Sequence, residues 1–272
     1  MAEITLNTAI RTNLLNLAQT QNLIDRTQGR LSTGLRVASP IDDSKAYFEA
    51  KGLNDRAQDF RDKKDGIDQA VSSVSGALNA IDAVDAMVRQ LKGLAISAKS
   101  ASGTELASIV TQYNEIRTQI DNLAADTEYQ GINLVNGTGE TLTVSFGNLS
   151  GSVLNVNAVD IRVAASGLNI TAAAGFSATS TVDASITELD NAITSLRGHA
   201  STLGSNVALL QTRLDFTAAY VNDLEGGAAK LTLADINEEG ANLVSLQTRQ
   251  QLGISALAFA GQAEQSVLAL FR

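Results

Sequence analysis

From Val182 to Leu231 apolar residues recur with alternating spacings of four and three, through Val182, Ile186, Leu189, Ile193 and Leu196 to Leu224, Ala228 and Leu231. Thr217 is the one polar member of the series. An average spacing of about 3.5 residues is the period of a coiled-coil seam, because it holds one narrow stripe toward a partner as the helix winds. At ~1.5 Å per residue the stretch predicts a helix of roughly 75 Å. Burying its stripe is worth about 1.5 to 3 kcal/mol for each large side chain, so a second helix must lie alongside.

The chain supplies several candidates for that second helix. Near the start, Ile10, Leu14, Leu17, Gln21, Ile24, Gln28, Leu31 and Leu35 repeat the four-three spacing, with glutamines at two seam positions. Polar seam residues lower stability while fixing register or permitting sliding. Gly34 and the single proline, Pro40, then break the pattern and predict a connector over 36–40. Asp42, Asp43 and Ser44 follow as capping residues for a helix from Lys45 to about Ser100, and capping accounts for the two aspartates without a metal. Within that helix Leu78, Ile81 and Val84 are spaced by two successive threes, a stammer that overwinds a coil. A third helix carries Leu106, Ile109, Tyr113, Ile116, Ile120 and Leu123 and is expected to stop near Gly131. After Gly226-Gly227 the opening stripe changes phase. A last stripe then runs through Leu243, Gln247, Gln250, Ile254, Leu257 and Leu268, again with glutamines.

Between Gly131 and about Thr181 the residues turn to Gly, Asn, Ser, Thr and Val and the period falls toward two, as in Leu142, Val144 and Phe146. This predicts a small set of β-hairpins projecting from the helices. Asn136, Asn148 and Asn169 each begin an Asn-X-Ser/Thr triplet and are the candidate glycosylation positions, although such triplets arise freely where Asn and Thr are frequent. Gly137-Thr-Gly139 reads as a hairpin tip rather than a phosphate loop.

A formal charge of -9 argues against nucleic acid or an anionic membrane surface as partner. The chain has no cysteine, which removes disulfides, thiolate metal sites and a Cys nucleophile. Neither a secretory signal peptide nor a membrane span is expected, since Glu3 interrupts the opening residues and the longest apolar run, 252–261, is too short. His199 is the only histidine and is followed by Ala, Ser, Thr and Leu, so a zinc-protease HExxH is absent. No catalytic residue, cofactor or metal is expected.

Several segments in order resemble the bacterial flagellins. Ser32-Thr-Gly-Leu-Arg36 followed by Asp42-Asp43 resembles the family's SGLR...DD segment, and Gly93-Leu-Ala-Ile96 resembles its ELAV segment. Thr127-Glu-Tyr-Gln-Gly131 with the following Ile-Asn-Leu-Val resembles TQFNG and its continuation. Gln250 to Leu257 and Glu264 to Arg272 are similar to the characteristic flagellin C-terminus. The resemblance covers residues 1 to 135 and 180 to 272.

It implies a mainly α fold: long antiparallel helices in a coiled-coil-like rod, terminal helices paired as an inner domain, and a small β-hairpin region. The expected domains are 1–44 with 232–272, then 45–135 with 180–231, and a short outer region at 136–179. The implied function is that of a filament subunit for swimming. It polymerises with many copies of itself, is secreted unfolded through the flagellar type III route, and meets an export chaperone and the junction and cap proteins. Its terminal stripes, Ile10 to Leu31 and Leu243 to Leu268, are the expected packing surfaces. They are expected to be disordered in the monomer and to fold on polymerisation. The resemblance also implies an innate-receptor surface at Arg89, Gln90 and Leu94, expected to be weak because Gln90 aligns with an arginine of enteric flagellins. The alternatives are a hook-filament junction protein, an enzyme-bearing flagellin and a cytoplasmic coiled-coil adaptor.

Overall fold

The computed structural model describes residues 8–176 and 178–270. In chain order they form α1 (Thr8–Thr33), α2 (Ser44–Ala98), α3 (Gly103–Asp126), β1 (Thr141–Ser145), β2 (Val153–Asn157), α4 (Thr179–Thr232) and α5 (Ile236–Leu270). The mainly α fold with one small antiparallel hairpin agrees with the sequence-based expectation. Two compact units divide the chain: residues up to Arg56 with those from Asp223 onward, and Ala57–Asn222.

In the Ala57–Asn222 unit the seams of α2 and α4 face each other. Ile67, Val74, Ile81, Val84, Val88 and Leu91 are buried from α2, against Leu189, Ile193, Leu196, Leu203 and Leu210 from α4. At the stammer the periodic residue Leu78 is only partly buried, while Ala77, Ala80 and Ile81 are inside. Thr217 is buried, and its hydroxyl donates to Arg213 O at 2.7 Å, which satisfies the polar group within its own helix. Lys92–Asp190 and Lys99–Asp183, each 2.5 Å, join α2 to α4 in antiparallel register.

α3 adds Tyr113, Ile120 and Ala124 to this core. It ends at Asp126 rather than near Gly131, because Asn133 Nδ2 donates to Ala124 O (2.8 Å) and Ala125 O (3.2 Å), two carbonyls of the last turn. Asn133 Oδ1 meanwhile accepts from the amides of Val135 and Asn136. Gly131, at φ +81°, serves the turn that follows the helix.

The stretch after α3 does not project from the helices. Leu134, Val135, Val144, Phe146, Val156, Ile161, Val163, Leu168, Ile170 and Phe176 belong to the same buried cluster as the helical seams. β1 pairs with β2 from Thr141↔Asn157 to Ser145↔Val153, with Val144 and Val156 inward. Outward, Thr141 and Thr143 hydroxyls bond the side chains of Asn157 and Asn155. Among the described residues this is the one hairpin. Ile161 and Val163 alternate for burial against helices, with Val163 N donating to Asp121 Oδ1 at 2.9 Å.

In the other unit, the connector separates the two aspartates. Asp43 Oδ1 accepts from Ala46 N at 3.0 Å and caps α2. Asp42 Oδ2 instead accepts from the Ser39 hydroxyl and the amides of Ser39 and Ala38, and these bonds, led by the hydroxyl, hold its carboxyl below the usual carboxylate range.

Candidate subunit-packing surface

α1 and α5 run antiparallel, and their paired ends are knit by backbone. Gly34, at φ +70°, lets α1 end, its N–H reaching Arg30 O at 2.8 Å. Arg36 N then donates to Thr232 O (2.7 Å) and Ala234 N to Gly34 O (2.9 Å), with Leu35 opposite Leu233. Asp235 Oδ1 accepts from the amides of Asn237 and Glu238 and starts α5. One turn along, Arg30 Nη1 lies 2.7 Å from Glu239 Oε1. Glu239 is 7% exposed. Farther along, Gln250 Nε2 bonds Gln21 Oε1, and Gly253 leaves room for Leu17, whose Cδ2 would stand 3.0 Å from an added Cβ.

The seam between these helices is offset by one residue from the sequence-based stripe at every second position. On α1 the buried and half-buried positions are Ile10, Asn13, Leu17, Thr20, Ile24, Thr27, Arg30 and Leu31. Ile10, Leu17, Ile24 and Leu31 are shared with the expected stripe. Leu14 (51% exposed), Gln21 and Gln28 instead lie on the exposed side. On α5 the enclosed positions are Glu239, Gly240, Leu243, Leu246, Gln250, Gly253, Leu257, Ala260 and Gly261, so Leu243, Gln250 and Leu257 are shared while Gln247 and Ile254 (57% exposed) are outward. The side chain of Leu268 lies outside the described residues.

Consequently the seam is polar or small at many positions, whereas large apolar side chains face solvent. Leu15 and Leu23 on α1 are exposed, as are Val244, Leu252 and Phe259 (72%) on α5. On α5 the last three are spaced eight and seven residues apart, and so share the side away from α1. Sequence reading missed them because it followed one stripe per helix; their signal was apolar residues off that stripe. It also missed Arg30 and Glu239, whose pairing is long-range.

The other expected positions are all in the Ala57–Asn222 unit. Arg89 is exposed and engaged by Asp85, Nε to Oδ2 2.7 Å, Gln90 is exposed, and Leu94 packs partly against the core. Asn136 Oδ1 accepts from Thr138 N and Oγ1, Asn148 Nδ2 donates to Asp59 Oδ2, and exposed Asn169 stands at φ +51°. His199 is half-buried, and that burial lowers its pKa against a smaller raising effect of Asp160. No group of three or more His, Cys, Asp or Glu able to hold a metal occurs among the described residues, and no described helix is long and apolar enough to cross a membrane.

The model of the bacterial flagellin N-terminal helical region matches residues 4–140, and that of the C-terminal helical region matches residues 186–271. Flagellin FljK of Caulobacter vibrioides is 30% identical over 95% of this chain and 94% of its own. A flagellin of Brucella melitensis is 30% identical over the whole of both chains. Among solved structures, a flagellar hook-associated protein from Vibrio parahaemolyticus superposes with a TM-score of 0.59 over 69% of this chain and 99% of its own. Its 14% identity speaks to the fold alone.

Proposed function

Since the chain belongs to the bacterial flagellin family and is a structural subunit of the flagellar filament, we propose that the outward apolar side chains of α1 and α5 are its packing surface for other copies. The observation that carries this is the inverted character of the pair: Thr20, Thr27, Gln250 and Gly253 are turned inward, while Leu14, Leu15, Leu252, Ile254 and Phe259 are turned to solvent. Large apolar side chains in contiguous exposure mark association surfaces. At about 25 cal/mol per Å² of apolar area, covering them in a filament supplies the driving force the α1–α5 seam lacks.

On this reading the α1–α5 pair is the inner domain, and the helices from Ala57 to Asn222 with their enclosed hairpin form the rod. The terminal helices fold fully only on polymerisation, because their own seam is too polar to hold them. Secretion through the flagellar type III apparatus, a chaperone during export, and contact with junction and cap proteins belong to the same reading. The family is structural, and we assign no catalytic step to this chain. Because Arg89 is held by Asp85 and Gln90 offers no charge, the surface around Leu94 is a poor match for an innate receptor.

Electron microscopy of concentrated protein seeded with filament fragments tests the function. Long helical filaments are expected, with a rise in helical circular dichroism as they grow. A chain that stays monomeric, or stops at dimers or a short junction-like zone on the seeds, overturns it.

A further inference from the structure

We propose that the Arg30–Glu239 ion pair sets the rotation of α1 against α5 and so keeps Leu14 and Ile254 outward for a second copy of the chain; this rests on the filament reading above. The seam residues themselves do not choose a rotation. Ile10, Leu17, Ile24 and Leu31 on α1 serve equally in the observed seam, completed by Asn13, Thr20 and Thr27, and in another completed by Leu14, Gln21 and Gln28. On α5, Leu243, Gln250 and Leu257 serve both with Leu246 and Gly253 and with Gln247 and Ile254. The two arrangements differ by turning each helix roughly 45° about its axis.

Apolar burial in an isolated pair does not favour the observed rotation, since the other would enclose Leu14 and Ile254 in place of Asn13 and Gly253 and give up only Leu246, to Gln247. Gln21 and Gln250 discriminate little, as both stay near the seam in either arrangement. The backbone bonds of Gly34 and Arg36 to Ala234 and Thr232 fix the axial position at one end. Arg30 differs. It lies beside Thr27 and Leu31, and turning α1 toward Leu14 and Gln28 carries it away from α5. That would strand the Glu239 carboxylate, which is enclosed and accepts from Arg30 Nη1. Removing one partner of a buried pair is strongly unfavourable because the other charge is left uncompensated. The pair thus holds the rotation in which the two apolar side chains remain available to a neighbour.

The absence of cysteine makes this directly measurable. In filaments, a Leu17→Cys/Gly253→Cys pair reports the observed seam, and a Leu14→Cys/Ile254→Cys pair reports the rotated one. With Arg30 and Glu239 intact, oxidation should cross-link the first pair and not the second. Arg30→Glu or Glu239→Arg should invert that preference and slow seeded elongation about tenfold. Combining Arg30→Glu with Glu239→Arg should restore both readouts to within about twofold of the parent. Arg30→Gln, which introduces no repulsion, should shift the cross-link ratio in the same direction by less, and covers the case in which Arg30→Glu fails to fold. An unchanged cross-link ratio in Arg30→Gln filaments, or a charge-swapped double variant no better than its singles, overturns the inference while leaving the filament reading intact. Failure of the unaltered chain to elongate seeds overturns the filament reading itself.

Discussion

Gln250 Nε2 donates a 2.6 Å hydrogen bond to Gln21 Oε1 across the α1–α5 seam, while Gln21 Nε2 turns to Asp25 Oδ1 at 2.8 Å. A hydrogen bond of this kind contributes about 1 kcal/mol net. Gln250→Ala should therefore lower the temperature at which filaments depolymerise, as should Gln21→Ala. Because the two side chains share one bond, the double variant should lose less than the sum of the singles, by about 0.5 kcal/mol or more. Strict additivity in filament melting would show that the bond contributes nothing.

Gly253 meets Leu17 so closely that an added Cβ lies 3.0 Å from Leu17 Cδ2 and 3.2 Å from its Cγ. Alanine there gains up to about 1 kcal/mol in helix propensity but must displace Leu17. Gly253→Val, with a bulkier branched side chain, should weaken filaments by about 1 to 3 kcal/mol. Leu17→Ala combined with Gly253→Val should recover part of the loss, read from critical concentration.

At Gly137 a Cβ would lie 2.4 Å from Asp160 Cγ, and the backbone is at φ +67°. Gly137→Ala combines steric overlap with a left-handed backbone that costs about 1 kcal/mol or more for an L side chain. A loss of about 2 kcal/mol or more in chemical denaturation of the soluble subunit is expected.

Acidification should act in two separate windows. Burial depresses the His199 pKa in the fold, outweighing the raising effect of Asp160, so its neutral form is favoured. Its contribution to stability is fully present above the unfolded value of about 6.5 and is lost as pH falls through the folded value. For Asp160, burial raises the pKa, but the hydrogen bonds from Arg162 and Ser166 outweigh it and hold the carboxyl low. That contribution is present above the unfolded carboxylate range near 3.9 and disappears only as pH falls below it. Denaturation between pH 7 and 3 should show both slopes, with His199→Gln removing the first and Asp160→Asn removing the second and moving the first to lower pH.

Much of the helical architecture was legible in the residues. The four-three spacing from Val182 to Leu231 locates α4, the buried series Ile67 to Leu91 locates its partner on α2, and Gly34 with Pro40 marks the connector. The end of α3 is not legible in the helix's own residues, because the stop comes from Asn133, a residue after the helix whose amide satisfies its carbonyls. For the region after Gly131 the sequence suggests a projection, because alternation says which side chains hide, and not what they hide against; Ile161 and Val163 alternate against helices rather than in a hairpin.

Periodicity, glycine placement and the ordered family segments thus determined that this chain makes long paired helices and belongs with filament subunits. They did not determine which of two faces the terminal helices turn to each other. A step of three and a step of four are equally close to the seam period, so Asn13 and Leu14, or Gly253 and Ile254, qualify alike from the chain alone. Only tertiary structure breaks that tie, where Arg30 meets Glu239, leaving Leu14 and Ile254 outside.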